Sequence, residues 1–272
     1  MQFRNDLTML RPRIIPTLLV HDGGLVKTIG FKDPKYVGDP INAVKIFNEK
    51  EADELVVLDI DATAKGKAPD YRMIANLAAE CRMPLCYGGG IGTVEQAEKI
   101  ISLGVEKVAL SAAAIERPGL LTEIAERVGR QSVVAIIDVR HRSGGLFRKD
   151  SYEVTTLNAS RSHDIAPLDL AETLAHAGAG EIVVNSVDRD GTMTGYDLKL
   201  AAAMRERIDI PITILGGAGS LDDMSALLET CGTVGASAGS LFVFKGALRA
   251  VLINYPVREV KDAIYAAALR QP

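Results

Sequence analysis

The chain has 272 residues, with 31 lysines and arginines against 35 aspartates and glutamates and a net charge of −4. No basic block interrupts this weakly acidic balance, which argues against a polyanion-binding surface but leaves room for a local phosphate site. Apolar residues make up 47% of the chain, ample for a large core, and no run of about 18 of them is present to span a membrane.

The N-terminal segment MQFRNDLTML lacks the apolar stretch of a secretion signal. The three cysteines, Cys81, Cys86 and Cys231, are odd in number and form no CxxC pair. A reduced, cytoplasmic protein with structural thiols is expected. His21, His141, His163 and His176 are scattered, so no metal-ligand pattern emerges, and no motif predicts a cofactor.

In chain order, short β-rich runs fall near residues 14–20, 55–60, 84–87, 107–111, 133–138, 181–187, 211–215 and 233–238. Between them lie stretches such as DPINAVKIFNEKEAD and TVEQAEKIISLGV, with apolar residues at three- and four-residue spacing, the signature of helices. Asp39-Pro40 and Ser220-Leu-Asp-Asp223 read as helix starts. Eight strands alternating with helices give parallel βα units. About 250 residues suffice to close eight such units into a barrel, so one α/β domain, a (βα)8 TIM barrel, is predicted over residues 1–272.

An internal repeat supports closure. ELVVLDIDATAKGKAPD aligns with EIVVNSVDRDGTMTGYD, and MPLCYGGGIGTVEQA aligns with IPITILGGAGSLDDM. Glu54 and Glu181, Pro84 and Pro211, and Gly92 and Gly219 are all separated by 127 positions. Two half-barrels follow, about 13–130 and 131–255. The opening strands of the halves are offset by 119 instead (Leu19 to Asp138), which places insertions in the early loops.

Chemistry in such barrels sits where strands end. Two glycine clusters fall there, Gly88-Gly89-Gly90 and Gly216-Gly217-Ala218-Gly219, each before a helix. Glycine lets backbone approach an anion, and a helix start offers free N–H groups. One unit later come strands ending in small residues, VALSAAA and VGASAGS. The paired pattern predicts a ligand with a phosphate at each end; the alternative is that the glycines only turn the chain. The strand VVAIID ends in Asp138, placed to move protons, whereas its counterpart RIIPTLLV carries Leu19.

The blocks RIIPTLLVHDGGLVK, GDP, DELVVLDIDAT, YGGGI, GVEKVALSAAA, VVAIIDVR, GAGEIVVNSVDRDGTMTGYD and LGGAG resemble the cyclase subunit of imidazole glycerol phosphate synthase, from about Arg13 to Phe244. That family of (βα)8 barrels takes ammonia from a glutaminase subunit and uses it on a precursor with two phosphates. The resemblance implies that Gly90 and Ser111 hold one phosphate with Lys35 near it. Gly191, Gly217, Ala238 and Gly239 would hold the other. Lys27 would close over substrate, Asp190 would lie near the reacting centre, and Asp138 would be the general acid or base. The family's second essential carboxylate is replaced by Leu19. Asn185, Leu215 and Ala112 also depart from the hydroxyl residues usual in the family.

At the opposite end the resemblance is complete in charge. Arg13, Glu54, Lys107 and Glu181 match a salt-bridged ring that gates ammonia, and Glu106 matches an acidic contact to the glutaminase. A retained entrance beneath an altered catalytic face resembles paralogues that serve amidation of nucleotide-linked sugars in surface-glycan synthesis, together with a sugar-amidating synthetase. A working cyclase of histidine biosynthesis and a non-catalytic activator of the glutaminase are the alternatives. The four-charge ring argues against the sister isomerase of the same pathway. No nucleic-acid or membrane partner is expected.

Overall fold

A computed structural model describes residues 11–144, 150–246 and 248–268. The N-terminal segment read for a secretion signal lies outside the described residues. The elements run β1 (Arg13–His21), β2 (Gly24–Ile29), β3 (Lys32–Gly38), α1 (Pro40–Glu49), β4 (Leu55–Asp59), α2 (Tyr71–Glu80), β5 (Leu85–Gly88), α3 (Val94–Ser102) and β6 (Lys107–Leu110). They continue with α4 (Ala112–Glu116), α5 (Gly119–Val128), β7 (Val133–Arg142), β8 (Ser151–Thr156), β9 (Arg161–His163), α6 (Pro167–His176) and β10 (Glu181–Ser186). The last are α7 (Leu198–Arg207), β11 (Ile212–Leu215), α8 (Leu221–Cys231), β12 (Gly235–Ala238), α9 (Ser240–Val243), β13 (Phe244–Lys245), β14 (Ala250–Val251) and α10 (Arg258–Ala268).

Eight of these strands are parallel neighbours in the order β10-β11-β12-β1-β4-β5-β6-β7, and a further pairing of β7 with β10 closes the circle. The fold is a (βα)8 barrel, as predicted. Helix starts follow the local chemistry: the Asp39 carboxylate accepts the Asn42 N–H at 2.9 Å ahead of Pro40. Ser220 and Asp223 cap α8 reciprocally, as Thr93 and Gln96 cap α3.

Two hairpins exceed the predicted βα pattern. Strand β1 turns at Asp22 and Gly23, both at positive φ (46° and 78°), into antiparallel β2 and β3. An Asp-Gly pair between apolar runs is a strong hairpin signal, so this element was encoded locally. Strand β7 continues past Asp138 to pair with β8, which pairs with β9. Both hairpins occupy the early loops where the offset placed insertions.

Side chains on alternate positions point into the barrel. At its bottom are Arg13, Glu54, Lys107 and Glu181. The middle is an apolar band that includes Ile15, Val56, Val134, Ile136, Val183 and Leu215. A much larger core lies between the strands and the helices, with Phe47, Leu77, Ile124 and Leu227 all fully buried. Among the described residues no helix is long and apolar enough to cross a membrane.

Candidate functional site

The top of the barrel holds a cavity of about 160 Å³ lined by strand ends from both halves. The structure brings Leu19, Lys27, Asp138 and Asp190 to it, together with Gly90, Ser111, Gly191, Gly217, Ala238 and Gly239. Lys35 is the predicted phosphate neighbour that it does not bring there. That side chain is exposed on β3, with Nζ 5.4 Å over the Phe244 ring.

The glycine clusters have a structural cause of their own. A Cβ on Gly90 (φ 71°) would lie 2.6 Å from the Lys67 carbonyl oxygen, and one on Gly217 (φ 106°) would lie 2.1 Å from that of Gly195. Backbone crossings therefore require glycine whatever the pocket binds. What favours an anion is the polar inventory. The Ser111 Oγ is buried without a hydrogen-bond partner among the described residues, an arrangement uncommon enough to call for a ligand-facing role. The Gly90 N–H is committed to Thr63 Oγ1 at 3.1 Å.

The other cradle holds a buried cation. Lys27 is 6% exposed and donates to the Thr17 carbonyl at 2.7 Å. Its Nζ would lie 2.6 Å from a Cβ on Gly239, so the ammonium rests against that glycine. Burial pushes its pKa down to about 8, with Asp190 opposing the shift. The β2–β3 hairpin that delivers Lys27 is fastened across the mouth: Thr28 Oγ1 donates to Asp190 Oδ2 at 2.6 Å and the Gly30 N–H donates to the Asp190 carbonyl at 3.0 Å. From the other side, the tip of the β8–β9 hairpin reaches over, with Asn158 Nδ2 3.0 Å from the Ile60 carbonyl. The two hairpins roof the cavity.

Asp138, half-buried, lines this cavity. Burial pushes its pKa up to about 7, against the opposing effect of Asn185, whose Nδ2 donates to Asp138 Oδ1 at 2.9 Å. Asn185 stands directly opposite Asp138 in the β10–β7 register. Leu19 lines the same space with no acid in its place. A further acid that the motifs do not single out, Asp59, ends β4 and lines the cavity. Its Oδ1 accepts the N–H groups of Asp61 and Ala62 at 2.9 and 3.0 Å, while burial raises its pKa. The signal was present: LVVLD ends in an acid just as VVAIID does.

The bottom closes in an ion-paired ring. Arg13 contacts Glu54 and lies 2.9 Å from Glu181, and Lys107 reaches Glu54 at 2.7 Å and Glu181 at 2.9 Å. Every charge is matched, and Thr213 Oγ1 adds a hydrogen bond to Glu181 at 2.6 Å. Burial works against Glu181, but Arg13 and Lys107 outweigh it and hold its pKa at about 2. Glu106, beside the ring, is exposed and takes the Leu85 N–H at 2.5 Å. Elsewhere, His21, Asp22 and Asp61 gather at the upper rim. Lys65 pairs with both acids, at 2.9 and 3.0 Å, so a lysine already supplies the positive charge there.

Residues 13–249 match the family described as "Histidine biosynthesis protein". A provisionally named imidazole glycerol phosphate synthase subunit HisF of Leptospira interrogans is 56% identical over 257 residues, 94% of this chain and 100% of the relative. A HisF subunit numbered third in Vibrio vulnificus is 54% identical over 248 residues, 91% of this chain and 94% of its own. The imidazole glycerol phosphate synthase subunit HisF of Streptomyces coelicolor is 39% identical over 250 residues, covering 92% and 97%. With the closed barrel and its two-ended architecture, these likenesses place the chain: it belongs to the histidine biosynthesis protein family, among the HisF-type subunits of imidazole glycerol phosphate synthase.

Proposed function

We propose that this chain is the ammonia-receiving subunit of a cytoplasmic glutamine amidotransferase complex. A glutaminase docks at the bottom face, near Glu106, and its ammonia enters through the ring of Arg13, Glu54, Lys107 and Glu181. The nitrogen serves amidation of a surface-glycan sugar, with a sugar-amidating synthetase as further partner, in place of imidazole formation. The observation that carries this reading is the contrast between the two ends. All four ring charges pair with one another, whereas the pocket has Leu19 at the position of an acid. The higher identity to the third-numbered HisF subunit of Vibrio vulnificus than to the Streptomyces subunit supports the same reading.

The second reading is a working cyclase, favoured by Asp138 and the two retained cradles. Excess ammonium salt and the bisphosphorylated cyclase precursor, added to the purified chain, decide between them. No imidazole product is expected; turnover near that of the Streptomyces-type subunit would overturn the proposal. A chain that only activates the glutaminase would instead leave glutamine-derived nitrogen in bulk solution.

In either reading the cavity takes a phosphorylated ligand, with Lys27 against one phosphate. Burial pushes the Lys27 pKa down to about 8, and a dianion beside it favours the ammonium. Binding of glycerol phosphate is therefore expected to take up a proton near and above pH 8, and affinity to fall by up to about tenfold per pH unit there. Calorimetry at pH 8.5 in buffers of different ionisation enthalpy reads the uptake. A binding enthalpy independent of buffer would remove Lys27 from the phosphate site.

A further inference from the structure

We propose that Tyr255, Lys261 and Tyr265 are positioning residues for the charged ring, which they hold closed at the seam between β1 and β4. The inference rests on the ammonia-entry reading above and deepens it, by naming what fixes the entrance.

The starting observation is a gap in the barrel wall that the sequence dictates. The Arg13 N–H points to the β12 side, where it meets the Val234 carbonyl, so the odd-numbered backbone groups of β1 face that way. The Val20 carbonyl takes the Ile60 N–H, so the even-numbered groups face β4. Pro16 falls on the β4 side and has no N–H to give. Pairing of β1 with β4 accordingly begins only at Thr17 and Val56, whereas β1 pairs with β12 from Arg13 upward. The same register continued downward sets Ile14 opposite Asp53, at the level of the ring, with no strand pairing between them. The other seams at which ring residues stand are paired from the ring residue or the next one up.

The second observation is what fills the gap. The Tyr255 hydroxyl donates to the Ile14 carbonyl at 2.8 Å and accepts the Asp53 N–H at 3.1 Å. The Ile14 N–H is shared between Asp53 Oδ2 at 2.9 Å and the Tyr265 oxygen at 3.1 Å, and the Tyr265 hydroxyl donates to the same carboxylate. Lys261 Nζ completes the group, 2.7 Å from Asp53 Oδ1 and 2.9 Å from the Glu51 carbonyl. Side chains of the C-terminal segment supply here the hydrogen bonds that strand pairing supplies elsewhere. Lys261 is 7% exposed, and a buried ammonium is costly unless it is paired. Anchoring α10 by apolar packing alone would not require it.

The third point is what the clamp grips. Arg13 precedes Ile14 and Glu54 follows Asp53, so the clamp closes on the residues next to two ring members. Of the four ring pairs, Arg13–Glu54 is the one made between neighbouring strands. Glu54–Lys107 reaches across β5, Lys107–Glu181 across β7, and Arg13–Glu181 across β11 and β12. The width of the β1–β4 seam therefore sets the Arg13–Glu54 contact directly. Loosening the clamp separates these two charges while strand pairing still holds the rest of the wall.

Hydrogen exchange of the Arg13 guanidinium, followed by NMR in the full chain at low temperature and slightly acid pH, reads the state of the ring. Tyr265→Phe keeps the aromatic ring and deletes only the hydroxyl. Loss of its hydrogen bond to the Asp53 carboxylate is expected to speed this exchange by about tenfold. Lys261→Met is expected to do the same, and covers the case in which Tyr265→Phe does not fold. Ile124→Val, a change in the core outside the barrel wall, lowers thermal stability without touching the seam and is expected to leave the exchange unaltered. In the complex with the glutaminase, the two clamp variants should release more free ammonia to bulk solution per glutamine hydrolysed, and Ile124→Val should not. Unchanged Arg13 exchange in both clamp variants, or an equal rise in Ile124→Val, would overturn the proposal and leave the clamp as an anchor for α10. The exchange needs no partner, so it judges the clamp alone. A native complex that passes no nitrogen to an acceptor overturns instead the function on which the proposal rests.

Discussion

Replacing Glu181 with alanine is expected to lower the unfolding free energy by about 3–5 kcal/mol, the cost of breaking a buried ion pair by removing one partner. Glu181 is 5% exposed and holds both Arg13 and Lys107, so its loss leaves two cations facing Glu54 alone. The Arg13 and Lys107 side chains keep 25% and 18% of their surface in contact with solvent, which moves the expectation to the lower end of that range. The effect carries a pH signature. The Glu181 carboxyl is held at about 2, below its ordinary 4.5. A depressed acid adds stability that is complete above its unfolded value and is lost as pH falls toward the folded one. The gap between native chain and variant should therefore be full at pH 7, begin to shrink below about 4.5, and close near 2. Urea unfolding across this range measures it. A gap that stays constant down to pH 2.5 would mean that the ring charges do not stabilise one another. The same variant is expected to cut glutamine-dependent nitrogen transfer in the complex, since it leaves the entrance with unpaired positive charge.

The ring and the barrel were legible in the sequence for a physical reason. Strand starts and ends have fixed positions relative to buried runs, so Arg13, Glu54, Lys107 and Glu181 could be placed around one rim from spacing and resemblance together. Asp138 was legible in the same way, because it follows VVAII. The cavity was less so. The β2–β3 hairpin was announced by Asp22-Gly23, yet where it docks depends on Thr28 meeting Asp190, a contact between residues far apart in the chain that no local pattern encodes. Lys35 shows the consequence. Antiparallel pairing puts it opposite Lys27, and the hairpin's course leaves Lys27 buried in the cavity and Lys35 outside beside Phe244. Asn185 was visible as a departure from the family's usual residue. That one of its atoms is satisfied and the other is not can be seen only in three dimensions.

Asp138→Asn should separate function from stability in the opposite sense to Glu181. The Asp138 carboxyl is raised from 3.8 to about 7, mainly by burial. Such a shift makes ionisation a cost to the fold. That cost is absent below about pH 4, grows as pH rises toward 7, and is constant above. Asparagine carries no charge, matches the side chain in size, and keeps an oxygen to accept from Asn185 Nδ2. The variant is therefore expected to match the native chain near pH 4 and to exceed its stability by about 2–4 kcal/mol at pH 8; the range allows for the part of Asp138 that faces the open cavity. If Asp138 moves a proton on the captured nitrogen, ammonium-dependent product formation in the complex should fall by about 10²–10⁴-fold in the same variant. A residue that weakens the fold and is retained for activity shows this combination. Thermal melts at pH 4 and pH 8, paired with the ammonium assay, read both quantities. Destabilisation at pH 8 would recast Asp138 as a structural hydrogen-bonding partner of Asn185. A stability gain with unchanged turnover would move the chemistry out of the barrel and leave it as a conduit with phosphate cradles.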